Sequence, residues 1–351
     1  MHSNVASRRR AALLIAPVAT LGLLLAGCSG NSTAPSAAAG ADGSAKPKVA
    51  AVIKGLDNPF FQAMQNGIEG TAKADGVSAT VQAAADIGDT TGQADKLTTL
   101  AGQDFSCFVV NPISGTNLVQ ALAPVGAAGK TIVNIDQPID ATAAKAANLK
   151  VATYIGTDNK KAGGKAGDFV TKAVPAGSEV AIIGGIAGDV TSAARIDGFK
   201  AAVGSKVKVV QEAAADWKRE LALTRATDIM EAHPDVKAFF AANDDMGLGI
   251  VKAVQNAGKT GDITVVSVDG NKDALQSVKD GGLSATVAQY PYAVGSLGVQ
   301  ACEVVADGKT LPSNIESPTA LVTKDDADTA ISKFPQPFEE FDNPLTSLLG
   351  K

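Results

Sequence analysis

Residues Lys237–Gly270 read KAFFAANDDMGLGIVKAVQNAGKTGDITVVSVDG and contain a complete strand–helix–strand unit. The apolar run Ala238 to Ala242 is too short for a helix and breaks into Asn243-Asp244-Asp245. A helical pattern follows, with Leu248, Val251, Val254 and Gln255 spaced by three and four, and Gly258 stops it. A second apolar run, Ile263 to Val268, ends in Asp269-Gly270. Polar groups thus stand where each strand runs out of apolar residues. In open parallel sheets ligands bind at the carboxyl ends of strands, so Asn243 and Asp269 are the first candidates for a binding site.

The unit occurs twice. Cys107 to Pro138, CFVVNPISGTNLVQALAPVGAAGKTIVNIDQP, is again an apolar run ending in Asn, a helix, Ala-Gly-Lys-Thr, and an apolar run ending in Asp. The Asn111–Asp136 spacing is 25 positions and the Asn243–Asp269 spacing is 26. Two near-equivalent units imply two similar lobes whose binding edges face one cleft. The same polar residues could also serve as helix caps and turn formers.

Outward from these units, the chain begins with Arg8-Arg9-Arg10, a short apolar stretch Ala11 to Ala26, and Leu25-Ala26-Gly27-Cys28. This is the form of a lipoprotein signal: residues 1–27 removed, Cys28 lipidated. Residues 28–47 lack apolar bulk and read as a flexible tether. The 324 residues left after the signal, tether included, suffice for two domains of ordinary size. Loss of three arginines and no acid takes the formal net charge from −5 to −8. An acidic chain without a basic cluster argues against nucleic acid as a partner.

From Val49 apolar runs and helical patterns alternate, with strands expected at 49–53, 78–84, 107–111, 131–135, 151–155, 179–183, 207–213, 237–242, 263–268 and 284–289. Asn58 and Pro59 form a cap and first turn ahead of a helix bearing Phe60, Phe61, Met64 and Ile68. Regular alternation predicts an α/β fold with parallel sheets covered on both faces, here as two doubly wound domains. Residues 334–351, with three prolines and no clear period, read as a surface tail.

Catalytic motifs appear only in fragments. Gly-Lys-Thr occurs at 129–131, 258–260 and 308–310, but the glycine a phosphate loop needs five positions earlier is Pro124, Ala253 or Glu303. Each is a helix stop. Gly184 to Gly188 lacks dinucleotide spacing, and no serine sits in a nucleophile elbow. The only histidine after residue 27, His233, precedes Pro234 at a helix end as a solvated terminal residue. No cofactor and no metal centre are expected, and enzymatic function is disfavoured. Cys107 and Cys302 sit in apolar patterns and read first as two separate buried thiols, with a disulfide as the alternative in an oxidising compartment, since the pairing geometry is not legible in sequence.

The assembled motifs resemble the type I periplasmic solute-binding proteins, most closely the ribose-binding group of ABC sugar importers, from about Val49 to Lys324. The resemblance rests on DNPFFQAMQNGIE, IDQPID, GIAGDVTSAARIDGF, AHPDVKAFFAANDDMGLG and VDG. It implies two lobes joined by three crossovers: 48–157 with 290–320, and 158–289 with 321–333. Carried over residue by residue, it implies ligand contacts from Asn58, Phe60, Phe61, Asn111 and Asp136 in one lobe, and Gln137, next to Asp136, is expected to line the site with them. From the other come Arg195, Trp217, Asn243 and Asp269, with Gln289 at the third crossover. Hydroxyls that donate and accept suit carboxylate, guanidinium and amide partners, while aromatic faces cover C–H surfaces. The chain departs from the family at Gln137, where an arginine usually follows the Asp, and at Val268, where an aromatic often stands. With Asp136 and Asp269 facing one Arg195, the expected ligand is a small neutral sugar or polyol, cyclic or linear. The expected partners are that ligand and ABC permease subunits, with the membrane touched only through the lipid anchor and the protein a monomer. A lipobox in place of a DNA-binding headpiece argues against a sugar-sensing regulator. A receptor presenting a furanosyl signal to a sensor, or a carbohydrate-processing enzyme using Asp136 and Asp269, are the alternatives.

Overall fold

The structure, a computed structural model, describes residues 46–351. The expected signal peptide, Cys28 and almost all of the tether lie outside the described residues. In chain order the elements are β1 (Lys48–Ile53), α1 (Pro59–Asp75), β2 (Ser78–Ala83), α2 (Thr90–Ala101), β3 (Cys107–Val110), α3 (Val119–Ala127), β4 (Thr131–Ile135), α4 (Ala141–Ala146) and β5 (Thr153–Thr157). Next come α5 (Asn159–Ala173), β6 (Glu179–Gly184), α6 (Val190–Val203), β7 (Lys208–Ala214), α7 (Arg219–Ala232), β8 (Val236–Ala241), α8 (Asp244–Asn256), β9 (Thr264–Asp269), α9 (Lys272–Asp280) and β10 (Ala285–Ala288). The chain closes with α10 (Pro291–Ala306), β11 (Asn314–Ser317), β12 (Ala320–Val322), α11 (Ala327–Lys333) and α12 (Thr346–Leu349).

The strands form two six-stranded sheets of matching order, β11-β5-β4-β3-β1-β2 and β12-β10-β9-β8-β6-β7. All ladders are parallel except β10–β12, which is antiparallel. The continuous apolar character of the central strands has a simple cause. In β1, Val49, Ala51 and Ile53 enter one core while Ala50 and Val52 enter the core on the opposite face. In β6, Ala181 and Ile183 likewise face one core, with Val180 and Ile182 in the other. A strand covered on both faces cannot afford the alternation that β2 and β7, at the sheet edges, display in their partly exposed residues. Ten strands stand where expected; the short β11 and β12 were not anticipated.

The chain passes between sheets three times, after β5, after β10, and between β11 and β12. Within each sheet the order reverses beside the first strand, between β1 and β3 and between β6 and β8. These two switch points open toward each other. The Gly-Lys-Thr glycines act as helix stops: Gly129, Gly258 and Gly308 adopt φ of 72°, 68° and 72° just past α3, α8 and α10.

Two sequence expectations are corrected. Cys107 and Cys302 are not separate thiols but a disulfide, with Cα atoms 5.9 Å apart across a separation of 195 residues. Burial in apolar patterns describes both states equally well. Only the second crossover, which returns α10 to the first sheet, brings Cys302 against β3. Residues 334–351 are likewise no free tail. Phe338 and Phe341 pack on Tyr290 at the crossover, with centroids 6.4 and 6.2 Å from its ring. Leu345 is fully buried in the core beside α1 and α10, and Asn343 donates to Gln300 on α10 at 2.8 Å. With six large apolar residues spread over mostly irregular backbone, this segment has no period to read.

Candidate functional site

Between the two switch points lies a cleft, partly open to solvent, with about 550 Å³ outside protein atoms when that open solvent is included. Its lining includes ten of the eleven ligand-contact residues expected from sequence: Asn58, Phe60, Phe61, Asp136, Gln137, Arg195, Trp217, Asn243, Asp269 and Gln289. Each follows, or ends, a strand at its carboxyl edge, except Arg195, which reaches in from the second turn of α6.

The exception is Asn111. It is fully buried behind the cleft wall, where its Oδ1 accepts from the Gln137 backbone N–H at 3.4 Å and its Nδ2 points at Met64 Sδ, 3.5 Å away. The strand-end rule located it, but β3 stops one residue short of its neighbours β1 and β4, and Asn111 is covered. Asn111 supports the loop carrying Gln137 and does not line the cavity.

Asn58 and Asn243 show that capping and site roles coexist. Asn58 Oδ1 caps α1 by accepting from Phe60 N–H at 2.9 Å, and Asn243 Oδ1 caps α8 through Met246 N–H at 2.9 Å. Among the described residues neither amide nitrogen has a protein acceptor, so each is a donor for whatever enters the cleft. Phe60 and Phe61 meet edge to face at 5.2 Å between centroids and also belong to the core, anchoring this wall.

The opposite wall is built around Arg195. Its Nη1 donates to Ala242 O at 2.7 Å and to Asp269 Oδ1 at 3.2 Å, while Nε donates to Asn159 Oδ1 at 2.8 Å. Gln289 Nε2 donates to the same Asp269 oxygen at 2.7 Å. The guanidinium carbon lies 5.9 Å from the Trp217 ring centroid. That indole needs Gly185 beneath it, because a Cβ there would sit 2.2 Å from the ring. Burial pushes the Asp269 carboxyl up to about 6, against the opposing pull of Arg195 and Gln289.

Sequence reasoning missed Lys54, Ile87, Ile113, Ile186 and Thr191 in the lining. Lys54 matters most. Its Nζ lies 3.6 Å from Asp136 Oδ2 and 5.4 Å from the Phe61 centroid. It was legible in principle, being the first residue after the first apolar run. The two carboxylates therefore face two cations, not one, which corrects the charge balance inferred from sequence. Thr191, one turn before Arg195, donates to Gln137 Oε1 at 2.8 Å and joins the two lobes across the cleft.

Asp136 owes its position to backbone geometry. It adopts φ of 59°, and its carbonyl accepts from Tyr154 Oη at 2.6 Å. No reactive pairing of nucleophile and base occurs in this lining. The charged groups are paired with one another while Asn58 and Asn243 keep amide donors for a guest, an arrangement fitted to hold a hydrogen-bonding molecule.

Residues 49–310 match the family model for the periplasmic binding protein domain. The D-allose-binding periplasmic protein of Escherichia coli K12 is 38% identical over 274 residues, covering 76% of this chain and 88% of that protein. The ribose import binding protein RbsB of Bacillus subtilis 168 is 35% identical, with 78% and 86% covered. Among solved structures, an ABC transporter periplasmic solute-binding protein from Actinobacillus succinogenes with bound D-allose superposes with a TM-score of 0.76 at 30% identity, covering 81% of this chain and 99% of that one. A solute-binding protein from Agrobacterium vitis with bound D-fucose gives 0.73 at 26% identity, covering 80% and 97%. With two lobes of matching topology around this cleft and the family pattern spanning residues 49–310, the chain belongs to the periplasmic binding proteins.

Proposed function

We propose that this chain captures a small neutral sugar or polyol between its lobes and delivers it to the permease of an ABC importer. The observation carrying this reading is the internal charge balance of the cleft: Lys54 with Asp136 and Arg195 with Asp269, each cation beside its own carboxylate. An anionic sugar acid or phosphate would be desolvated without a spare cation, which is costly. A hydroxyl cluster instead donates to the carboxylates and accepts from Lys54, Asn58 and Asn243, and Phe60, Phe61 and Trp217 cover its C–H faces. The named relatives and structures with bound D-allose and D-fucose support the sugar class. The part of this reading beyond sugar capture is that Cys28 is lipidated after removal of residues 1–27, leaving the protein anchored outside the membrane as a monomer that binds without turnover.

A thermal-shift panel of aldoses, polyols, inositols, sugar acids and sugar phosphates tests it, with Trp217, the single tryptophan, as a fluorescent reporter of the cleft. Stabilisation by one or a few neutral compounds, recovered chemically unchanged, is the expected result. Stabilisation only by acids or phosphates overturns it.

A further inference from the structure

Directly behind Asp269 sits a carboxylate that no ligand in the cleft can touch. Asp244, at the first position of α8, is 0% exposed. Its Oδ1 accepts from Ser267 Oγ at 2.5 Å and Thr286 Oγ1 at 2.7 Å. Its Oδ2 accepts from the Asn271 backbone N–H at 2.7 Å. Thr286 Oγ1 in turn accepts from the Gly270 N–H at 3.3 Å. The two backbone N–H groups following Asp269 are thus both captured, one by Asp244 and one by a hydroxyl that Asp244 orients.

The turn needs holding. Asp269 adopts φ of 139° and Gly270 φ of 75°, two consecutive residues in a region that side-chain-bearing residues rarely enter. Glycine enters that region freely, so the strain sits on Asp269, and such strain persists only where the surroundings over-determine it. At Gly270 a Cβ would also meet Ala288 Cβ at 2.5 Å, so the turn is pressed against β10. From the other side, Gln289 N–H donates to Asp269 O at 2.9 Å. If the turn relaxed, the Asp269 carboxylate would swing away from Arg195 and Gln289. Burying Asp244 is itself unfavourable: desolvation and the nearby Asp269 charge hold its carboxyl well above the usual range. A residue kept at that cost among hydroxyl and N–H donors, with no ion pair to a cation among the described residues, is one the turn requires.

We propose that Asp244 is a positioning residue for the binding site: it clamps the Asp269–Gly270–Asn271 turn in its strained conformation and so aims Asp269 into the cleft. The affinity consequence rests on the sugar-cleft reading; the geometric consequence does not. Three variants separate this role from plain stability. Asp244→Ala removes every acceptor, Asp244→Asn keeps one for Asn271 N–H and presents an amide donor to the hydroxyls, and Thr286→Val removes only the Gly270 acceptor and one hydroxyl.

Titration of folded full-length variants with D-allose and D-ribose, read by Trp217 fluorescence, should show a loss of roughly 30-fold for Asp244→Ala. That is the scale set by leaving buried polar groups unpaired. Asp244→Asn should stay within roughly 5-fold of wild type, and Thr286→Val should lie between them. If Asp244→Ala does not fold, the ordering of Asp244→Asn and Thr286→Val decides. Wild-type affinity in folded Asp244→Ala, or in Thr286→Val where Asp244→Ala is lost, overturns the proposal. If wild-type protein binds neither sugar, crystal structures of the ligand-free variants decide it instead. Departure of Asp269 from positive φ, with loss of its contact to Gln289, supports the clamp. An unchanged turn in Asp244→Ala, or in Thr286→Val where Asp244→Ala does not fold, refutes it.

Discussion

Asp269→Asn should make the ligand-free protein more stable at neutral pH while weakening binding. Asp269 is 5% exposed, and burial raises its carboxyl from the ordinary 3.8 to about 6 even with Arg195 and Gln289 donating to it. The folded state therefore holds this proton to higher pH than the unfolded chain does. The stability linked to that proton is complete below about pH 4 and is lost as pH rises through about 6. A difference of about 2 pH units corresponds to on the order of 3 kcal/mol. Asparagine copies the protonated form in shape and charge, and Arg195, though it loses its counter-charge, keeps its hydrogen bonds to Ala242 O and Asn159 Oδ1. Urea denaturation should give equal stability for wild type and variant near pH 4, and an advantage of up to about 3 kcal/mol for the variant at pH 7.5. Sugar affinity should move the other way, because hydroxyls donate better to a carboxylate than to an amide. For wild type, affinity should fall as pH drops through about 6, since a bound hydroxyl donor favours the ionised form. A variant less stable than wild type by the same margin at both pH values would refute the reasoning.

Three further outcomes are expected. Arg195→Ala should weaken binding by about 2–5 kcal/mol, measured by calorimetry on protein of unchanged circular dichroism, because Asp269 and the ligand both lose a buried donor; near-native affinity would place the binding chemistry elsewhere. Cys107→Ser should lower unfolding free energy by about 5 kcal/mol, the chain-entropy value for a loop of 195 residues, with little change in affinity. The same loss on reducing the wild-type protein would confirm the cause. Cys28→Ser should abolish metabolic labelling with a fatty acid, and equal labelling of both proteins would exclude lipidation at this residue.

The alternation of short apolar runs and helical patterns was sufficient to determine the α/β class, ten strand positions and the two-lobe repeat. These are local properties: a strand buried on both faces must be apolar throughout, and a glycine past a helix end must accept positive φ. The strand-end rule located Asn243 and Asp269 for a comparable reason, since a sheet edge is where backbone direction and polarity change together. The family resemblance added Arg195 and Trp217, which no periodicity marks. What remained illegible depends on distance through space. Lys54 joins the site only because the first switch point faces the second, and that changes the charge balance from one compensating cation to two. Asn111 looks equivalent to Asn243, yet β3 stops one residue short of its neighbours and Asn111 is covered. The Cys107–Cys302 bond requires a crossover that returns the chain 195 residues later. The role of Asp244 emerges only once α8, β9 and β10 converge, because hydrogen bonds to the carboxylate come from residues 23, 42 and 27 positions away. Sequence carries the pattern each segment needs for its own burial; which buried polar groups meet is settled by packing.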